Sequence, residues 1–239
     1  MNSLLAADGR LLVVAIDHPL YSWPHPGLAD RDALIDTVVA EGADALIVSY
    51  GTLRDHREAL EPARSILKLD LTTLSVGPYR DAPYRLAWTI DDALRLGAVA
   101  VLTYVQVGAS YELDDLHTAA AVASAADRAG IPYVCEIMPV DSVAPVAIAA
   151  ATRAGAELGA HVIKTSLPDP PSGLAEACAH GTPVIVAGGD LAADREALYD
   201  AVATCLANGA AGVAFGRNVW ASDDPGGTVR RLAGLVHPG

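Results

Sequence analysis

Lysine is scarce in this sequence, and both lysines interrupt apolar segments. Lys68 lies in residues 65–70 and Lys164 in residues 160–166. Burial disfavours the ammonium form, so a lysine on a buried strand is expected to have a lowered pKa. A neutral amine can attack a ketone or aldehyde and form an iminium ion, which accepts electrons when the adjacent carbon–carbon bond breaks. Lys164 is therefore predicted to be a Schiff-base nucleophile, with Lys68 as a second catalytic candidate.

Two carboxylates offer either lysine an alternative, structural role in a buried salt bridge. Asp17 follows the first apolar segment, and Asp70 follows Lys68 by two positions. Asp17 could instead transfer a proton or hold a substrate hydroxyl, and Asp70 could contact the substrate. The sequence leaves the structural and the functional interpretation open for both residues.

Three further polar residues end apolar segments and are candidates for proton transfer or substrate binding. Glutamate is seldom buried without a partner, so Glu136 is predicted to serve a site, although its side chain could point into or out of the fold. Tyr104 could donate a proton or could pack. His18 precedes Pro19 and could bind substrate or shape the loop.

Glycine segments after two late apolar runs suggest a phosphate site. Glycine lets the backbone approach an anion, free N–H groups point outward, and the start of a helix favours negative charge. An arginine there could add a charge-assisted hydrogen bond. A plain turn is the alternative for the Gly-Gly pair alone. The predicted phosphate-binding residues are Gly188, Gly189, Gly216 and Arg217.

No metal or cofactor is predicted. Most of the seven histidines fall in predicted helices or loops, and no zinc-ligand set is apparent. There is no GxGxxG after a strand and no P-loop. The three cysteines form no CxxC pair and are expected to be reduced thiols.

Short apolar runs alternate with stretches of helical period along the whole chain. Such alternation is typical of parallel strands joined by right-handed helical crossovers. A helix is predicted at about residues 30–41, closed by Gly42. The eight predicted strands are residues 11–16, 45–49, 65–70, 99–104, 133–137, 162–165, 183–187 and 212–216.

Eight such units predict an α/β fold of the (β/α)8 TIM-barrel type, because they close more readily than they form an open sheet. A doubly wound open sheet is the alternative. No linker divides the 239 residues, so one barrel domain spanning 1–239 is expected. The candidate residues follow predicted strands, and barrel enzymes carry their chemistry at that end. The clustering therefore favours an enzyme.

The composition of the chain limits the classes of molecule that it is expected to bind. The formal net charge of −13 argues against nucleic acid, whose phosphates need clustered Lys and Arg. The N-terminal apolar stretch is too short to span a bilayer and has no basic segment before it. We expect a cytoplasmic protein that binds a phosphorylated small molecule and not a membrane. A homo-oligomer is expected, although no interface pattern is visible.

Five segments, in order, resemble the archaeal-type class I fructose-bisphosphate aldolases, within the deoxyribose-phosphate and tagatose-bisphosphate aldolase superfamily. They are residues 14–19, 66–70, 159–165, 186–189 and 212–220. The resemblance covers nearly the whole chain and implies that Lys164 is the Schiff-base lysine and Asp17 the acid on strand one. It also implies phosphate loops at Gly188, Gly189, Gly216 and Arg217.

The sequence of the fifth predicted strand departs from the pattern of that family. Fructose-bisphosphate members carry Trp-x-Tyr-Pro, with the tyrosine in proton transfer, whereas this chain has Glu-Ile-Met-Pro with Met138 in the tyrosine position. A strand-five glutamate resembles the tagatose-bisphosphate type, in which it is the acid. Glu136 or Tyr104 is therefore expected to take the missing role.

The resemblance implies a class I aldolase that acts on a phosphorylated keto sugar, with dihydroxyacetone phosphate as donor. Relatives with altered acids join a phosphorylated keto fragment to aspartate semialdehyde, or act as thiolases. The alternatives are therefore a biosynthetic aldolase or transaldolase that uses an amino-acid-derived aldehyde, a thiolase or isomerase, and a non-catalytic sugar-phosphate sensor.

Overall fold

The computed structural model describes residues 4–76 and 82–238, and eight parallel strands in it close into a barrel. The last of these strands along the chain pairs with the first, with Leu11 beside Gly212, so the sheet has no open edge. The predicted (β/α)8 barrel is confirmed, and the open-sheet alternative is wrong. The strands are β1 Leu11–Ala15, β2 Ala45–Val48, β3 Arg64–Lys68, β4 Ala100–Val107, β5 Tyr133–Pro139, β6 Val162–Ser166, β7 Val184–Ala187 and β8 Gly212–Phe215.

Helices lie between the strands and begin and end at residues suited to those positions. The Asp30 side chain accepts a hydrogen bond from the Ala33 amide and caps α1, and Gly97 ends α4 in the left-handed conformation. The helices are α1 Arg31–Ala40, α2 Tyr50–Asp55, α3 Arg57–Leu60, α4 Ile90–Leu96, α5 Glu112–Ala129, α6 Pro145–Glu157, α7 Leu174–Cys178, α8 Arg195–Ala207, α9 Arg217–Trp220 and α10 Pro225–Val236.

The loops above β1 and β3 add two small ladders. Ser22–Trp23 pairs in parallel with Ser75–Val76, and Asp70–Leu71 pairs antiparallel with Arg85–Leu86. No helix among the described residues is long and apolar enough to cross a membrane.

Side chains alternate between the barrel interior and the layer that packs against the helices, because successive strand residues point to opposite faces. The interior is a separate apolar cluster that includes Ala15, Ile66, Leu102, Val134 and Val162. In four of the strands the residue two positions further along is polar and so points inward as well, above the apolar layers. These residues are Lys68, Tyr104, Glu136 and Lys164.

Candidate functional site

Strand register brings three of the predicted site residues side by side. Tyr104 on β4 pairs with Glu136 on β5, and Glu136 pairs with Lys164 on β6. The Lys164 Nζ atom lies 2.7 Å from Glu136 Oε1, and both side chains are about nine-tenths buried or more. Glu136 therefore points into the barrel, and the ion-pair partner of Lys164 is Glu136 rather than Asp17 or Asp70.

The second lysine forms a deeper ion pair. Lys68 Nζ lies 2.8 Å from Asp70 Oδ1, both side chains are essentially inaccessible, and the second Asp70 oxygen accepts a hydrogen bond from the Tyr104 amide. Burial disfavours the ammonium, but the carboxylates of Asp70, Glu136 and Asp17 outweigh it and raise the pKa of Lys68 above its usual value. The expectation of a lowered pKa is therefore wrong for Lys68, because a carboxylate two residues away compensates its charge.

His18 lies beside Asp17 and the Trp220 ring. Burial lowers the pKa of His18 well below its usual value, and the charges of Lys164 and Arg217 lower it further. Its Nδ1 atom lies 3.8 Å from an oxygen of Asp17, which is buried. The Trp220 ring meets the imidazole edge to face, with centroids 5.1 Å apart. A neutral imidazole in this position can hydrogen-bond a substrate oxygen.

The predicted phosphate segments come together at the ends of β7 and β8. A Cβ at Gly188 would lie 2.9 Å from the Phe215 ring, and one at Gly216 would lie 2.9 Å from the Ala15 carbonyl oxygen, so neither position has room for a side chain. The Arg217 guanidinium forms an ion pair with the exposed carboxylate of Asp190. The same two loops thus hold close-packed glycine backbone and a guanidinium.

One cavity of about 370 Å³ joins these groups. Asp17, Lys68 and Asp70 are not among its lining residues and lie in the buried layer around it. The predicted residues that line it are His18, Tyr104, Glu136, Lys164, Gly188, Gly189, Gly216 and Arg217.

The sequence did not identify several residues that shape the site. Tyr21 and Ser166 line the cavity and were not singled out as site residues, whereas Met138, which also lines it, was noted only as the residue in the tyrosine position. Asn218 is buried, and its side chain makes hydrogen bonds to the loop after β7. An asparagine directly after the Gly-Arg pair was the available signal for it.

Within residues 4–76 and 82–238 no group of three or more His, Cys, Asp or Glu side chains is arranged to hold a metal ion. The side chains that line the cavity offer one lysine amine, one carboxylate, two phenols, one hydroxyl, one imidazole and one guanidinium. A lysine amine with a carboxylate in hydrogen-bonding contact is an arrangement suited to carbonyl condensation and proton transfer.

Comparison with known proteins agrees with this arrangement. Residues 11–222 match the sequence model of the protein family described as DeoC/LacD family aldolase. The chain is 35% identical over 242 residues to the 2-amino-3,7-dideoxy-D-threo-hept-6-ulosonate synthase of Halobacterium salinarum, with 98% of this chain and 89% of that protein covered. It is 32% identical over 235 residues to the 2-amino-4,5-dihydroxy-6-oxo-7-(phosphonooxy)heptanoate synthase of Streptomyces griseus, covering 95% of this chain and 85% of that one.

A solved structure is similar throughout. It is an archaeal fructose-1,6-bisphosphate aldolase whose catalytic lysine is covalently bound to the carbinolamine intermediate of the substrate. It superposes with a TM-score of 0.89 at 27% identity, over 98% of this chain and 96% of that chain. The family match and both relatives cover almost the whole barrel. The chain belongs to the DeoC/LacD family of aldolases and is an enzyme of the lyase class.

Proposed function

We propose that the protein is a Schiff-base aldolase that joins a phosphorylated keto donor to an aldehyde derived from an amino acid. The observation that carries the proposal is the contact of 2.7 Å between Lys164 Nζ and Glu136 Oε1 in the wall of the cavity. The amine that would condense with the ketone and the group that would move its protons already touch. The glycine loops and Arg217 line the same cavity.

Each proton in this reaction has a place to go. When a proton moves from Lys164 to Glu136, the free amine attacks the donor ketone, and loss of water leaves an iminium ion. Glu136 takes a proton from the carbon beside the iminium and gives an enamine. The enamine carbon attacks the acceptor aldehyde, and the proton held by Glu136 passes to the aldehyde oxygen as the new bond forms. Water then hydrolyses the product iminium and restores the amine. Glu136 is the nearest carboxylate for these transfers, and Tyr104 is the adjacent candidate.

The donor phosphate would lie against Gly188, Gly189 and Gly216, with Arg217 as its charged partner. Backbone N–H groups in glycine loops after the last two barrel strands bind phosphate in many barrels. Arg217 would have to exchange Asp190 for the phosphate, and the exposure of Asp190 makes that exchange inexpensive. His18 would hydrogen-bond a donor oxygen between the amine and the phosphate.

Two features favour an amino-acid-derived acceptor over a second sugar phosphate. Lys164 and Arg217 are the only Lys or Arg side chains among the described residues that line the cavity, so one phosphate has a cation and a second does not. Met138 also stands where the fructose-bisphosphate pattern has tyrosine, and it lines the cavity. Cleavage of a ketose bisphosphate is therefore the less favoured function.

The names of the two relatives suggest which aldehyde to test. Both describe a seven-carbon chain with an amino group at C2 and a ketone at C6. An aldol bond between C4 and C5 would divide either chain into a three-carbon ketone and a four-carbon amino acid aldehyde, aspartate semialdehyde. The Streptomyces product name carries a phosphate at C7, whereas the Halobacterium name does not. Dihydroxyacetone phosphate with aspartate semialdehyde is the substrate pair that we propose.

Borohydride reduction in the presence of dihydroxyacetone phosphate tests the nucleophile. The two lysines make the adduct easy to locate by peptide mass spectrometry. Lys164→Arg is the matched control, because it keeps a cation beside Glu136 but cannot form an imine. We expect the adduct on the Lys164 peptide of the wild type and none in Lys164→Arg. An unmodified wild-type Lys164 after reduction would reject the proposal.

Turnover then separates the remaining candidates. With aspartate semialdehyde present, the proposed reaction yields a product with the summed mass of both substrates. Turnover of a sugar phosphate without any trapped adduct would indicate an isomerase or thiolase. Thermal stabilisation by a sugar phosphate without turnover would indicate a sensor.

A further inference from the structure

We propose that Asn218 is a positioning residue that fixes the loop after β7 in the shape that binds the donor phosphate. The inference rests on the proposed function, because it concerns the phosphate end of the same cavity. Asn218 is about 1% exposed, and it follows Arg217 in the first turn of α9. Its side chain does not line the cavity, so it would act through the loop and not by contact with the substrate.

The Asn218 carboxamide uses both its donor and its acceptor side on one short segment of backbone. Its Nδ2 group donates to the carbonyl oxygens of Gly188 and Asp190, each at 2.9 Å, and its Oδ1 atom accepts from the Ala192 amide at 2.9 Å. A primary amide is the side-chain group that offers two donors and an acceptor at this spacing. Three backbone groups of the loop therefore depend on one side chain.

That dependence is large because the loop has no regular structure of its own. Residues 188–194 belong to neither a helix nor a strand. Gly189, Asp190 and Leu191 are exposed, so water can serve much of this loop, but the backbone groups that face the buried Asn218 take their hydrogen-bond partners from its side chain. The Gly188 and Asp190 carbonyls share their peptide planes with the N–H groups of Gly189 and Leu191, so the bonds from Asn218 orient the Gly189 N–H group that is proposed to meet the phosphate.

Asn218 is itself held in place through both its side chain and its backbone. A Cβ at Gly188 would lie 3.0 Å from Asn218 Nδ2, so the amide packs directly on the loop. The Asn218 backbone carbonyl oxygen lies 3.5 Å from two guanidinium nitrogens of Arg195, whose Nη2 also donates to Thr228 Oγ1 at 2.5 Å. Asn218 thereby connects the loop after β7 with the first turn of α9, which follows β8.

Loss of the Asn218 hydrogen bonds should weaken binding of the donor phosphate and leave the chemistry of Lys164 unchanged. Lys164 is on β6 and its partner Glu136 is on β5, so the ion pair between them does not depend on Asn218. The expected signature is a raised KM for a phosphorylated donor with a nearly unchanged kcat. The KM of the same donor without phosphate should not move.

The test compares dihydroxyacetone phosphate with dihydroxyacetone in Asn218→Ala and Asn218→Ser, in aldol turnover or in borohydride trapping at Lys164. Thr152→Val is the matched control, because Thr152 is also fully buried and its hydroxyl also bonds backbone carbonyls, those of Ala149 and Ala177, away from the cavity. Thermal stabilisation by inorganic phosphate is measured in parallel, because that readout needs no chemistry.

In Asn218→Ala we expect the ratio of the two KM values to rise at least about tenfold, since more than one hydrogen bond is lost. The stabilisation by inorganic phosphate should fall in parallel, and Asn218→Ser should lie between Ala and wild type. Thr152→Val should leave both readouts unchanged. An unchanged KM ratio and unchanged phosphate stabilisation in folded Asn218 variants would overturn the inference, as would equal losses in Thr152→Val.

Failure of the inference differs from failure of the proposed function. A wild type that forms no adduct at Lys164 rejects the Schiff-base chemistry, while the phosphate titrations of wild type and Asn218→Ala still decide the role of Asn218. A wild type that gains no stability from inorganic phosphate rejects the inference even if the adduct forms.

Discussion

Removal of the Lys164 amine should destabilise the protein through the carboxylate that it leaves behind. In Lys164→Met the side chain of Glu136 stays about nine-tenths buried but loses the ammonium at 2.7 Å. A buried charge without its partner is costly, whereas removal of both charges is far less so. The added substitution Glu136→Gln should therefore restore part of the stability that Lys164→Met removes.

The burial of the Lys164–Glu136 pair sets the size of the expected loss in stability. A fully buried pair loses about 3–5 kcal/mol when one partner is removed, and the cavity beside Glu136 lets some water reach it, so we expect about 2–3 kcal/mol for Lys164→Met. For a chain of this length that corresponds to a fall in Tm of roughly 4–12 °C. Glu136→Gln in the same background should return at least about 1 kcal/mol.

Urea unfolding of Lys164→Met, Glu136→Gln, the double variant and the wild type measures the coupling free energy between the two side chains. No substrate is present in these measurements. Arg153→Met is the control, because Arg153 forms an ion pair of 2.8 Å with Glu157 on the exposed face of α6 and should change the free energy of unfolding by about 0.5 kcal/mol or less. A double variant no more stable than Lys164→Met would refute the argument that the two side chains form a compensated pair in the free enzyme.

Two further predictions concern other charges. Asp190→Ala should lower the KM for dihydroxyacetone phosphate by a few-fold, because it releases Arg217 from its ion pair. The loss of that exposed ion pair should reduce the free energy of unfolding by less than about 1 kcal/mol. A raised KM in steady-state kinetics would show that Asp190 positions Arg217 instead. Burial opposes the charge on His237, but hydrogen bonds to Asp8 and Asp44 prevail and raise its pKa above the usual 6.5. The stabilisation is therefore complete below about pH 6.5 and is lost as the pH rises through the folded pKa. Urea unfolding from pH 5.5 to 9 should show this decline, and His237→Gln should abolish it.

The barrel could be predicted from sequence because its physical cause is local. Strands covered on both faces must be apolar along their length, and the crossover helices are closed by residues such as Gly97. The eight predicted segments therefore coincide with the eight barrel strands to within a few residues. Lys164 and Glu136 were identified for the same reason, because a charge within an apolar run is visible without any structure.

The pairing of those charges could not be predicted in the same way. Whether Glu136 faces the cavity depends on strand register, and a shift of one residue reverses every side chain. The choice of Asp70 as the partner of Lys68 depends on the backbone after β3, where Asp70 begins the short strand Asp70–Leu71 and keeps its carboxylate beside the ammonium. The contacts of Asn218 join loops thirty residues apart, and no pattern within either loop specifies them.

By itself the sequence determined which residues lie on the strands and which of them carry charge, because burial and periodicity act over a few neighbouring residues. Only the tertiary structure decided which charges meet. The register of neighbouring strands aligns Tyr104, Glu136 and Lys164 across three strands and brings the loops after β7 and β8 together. Ion pairing and the orientation of loop backbone act over a few ångströms, and only the folded chain sets distances on that scale.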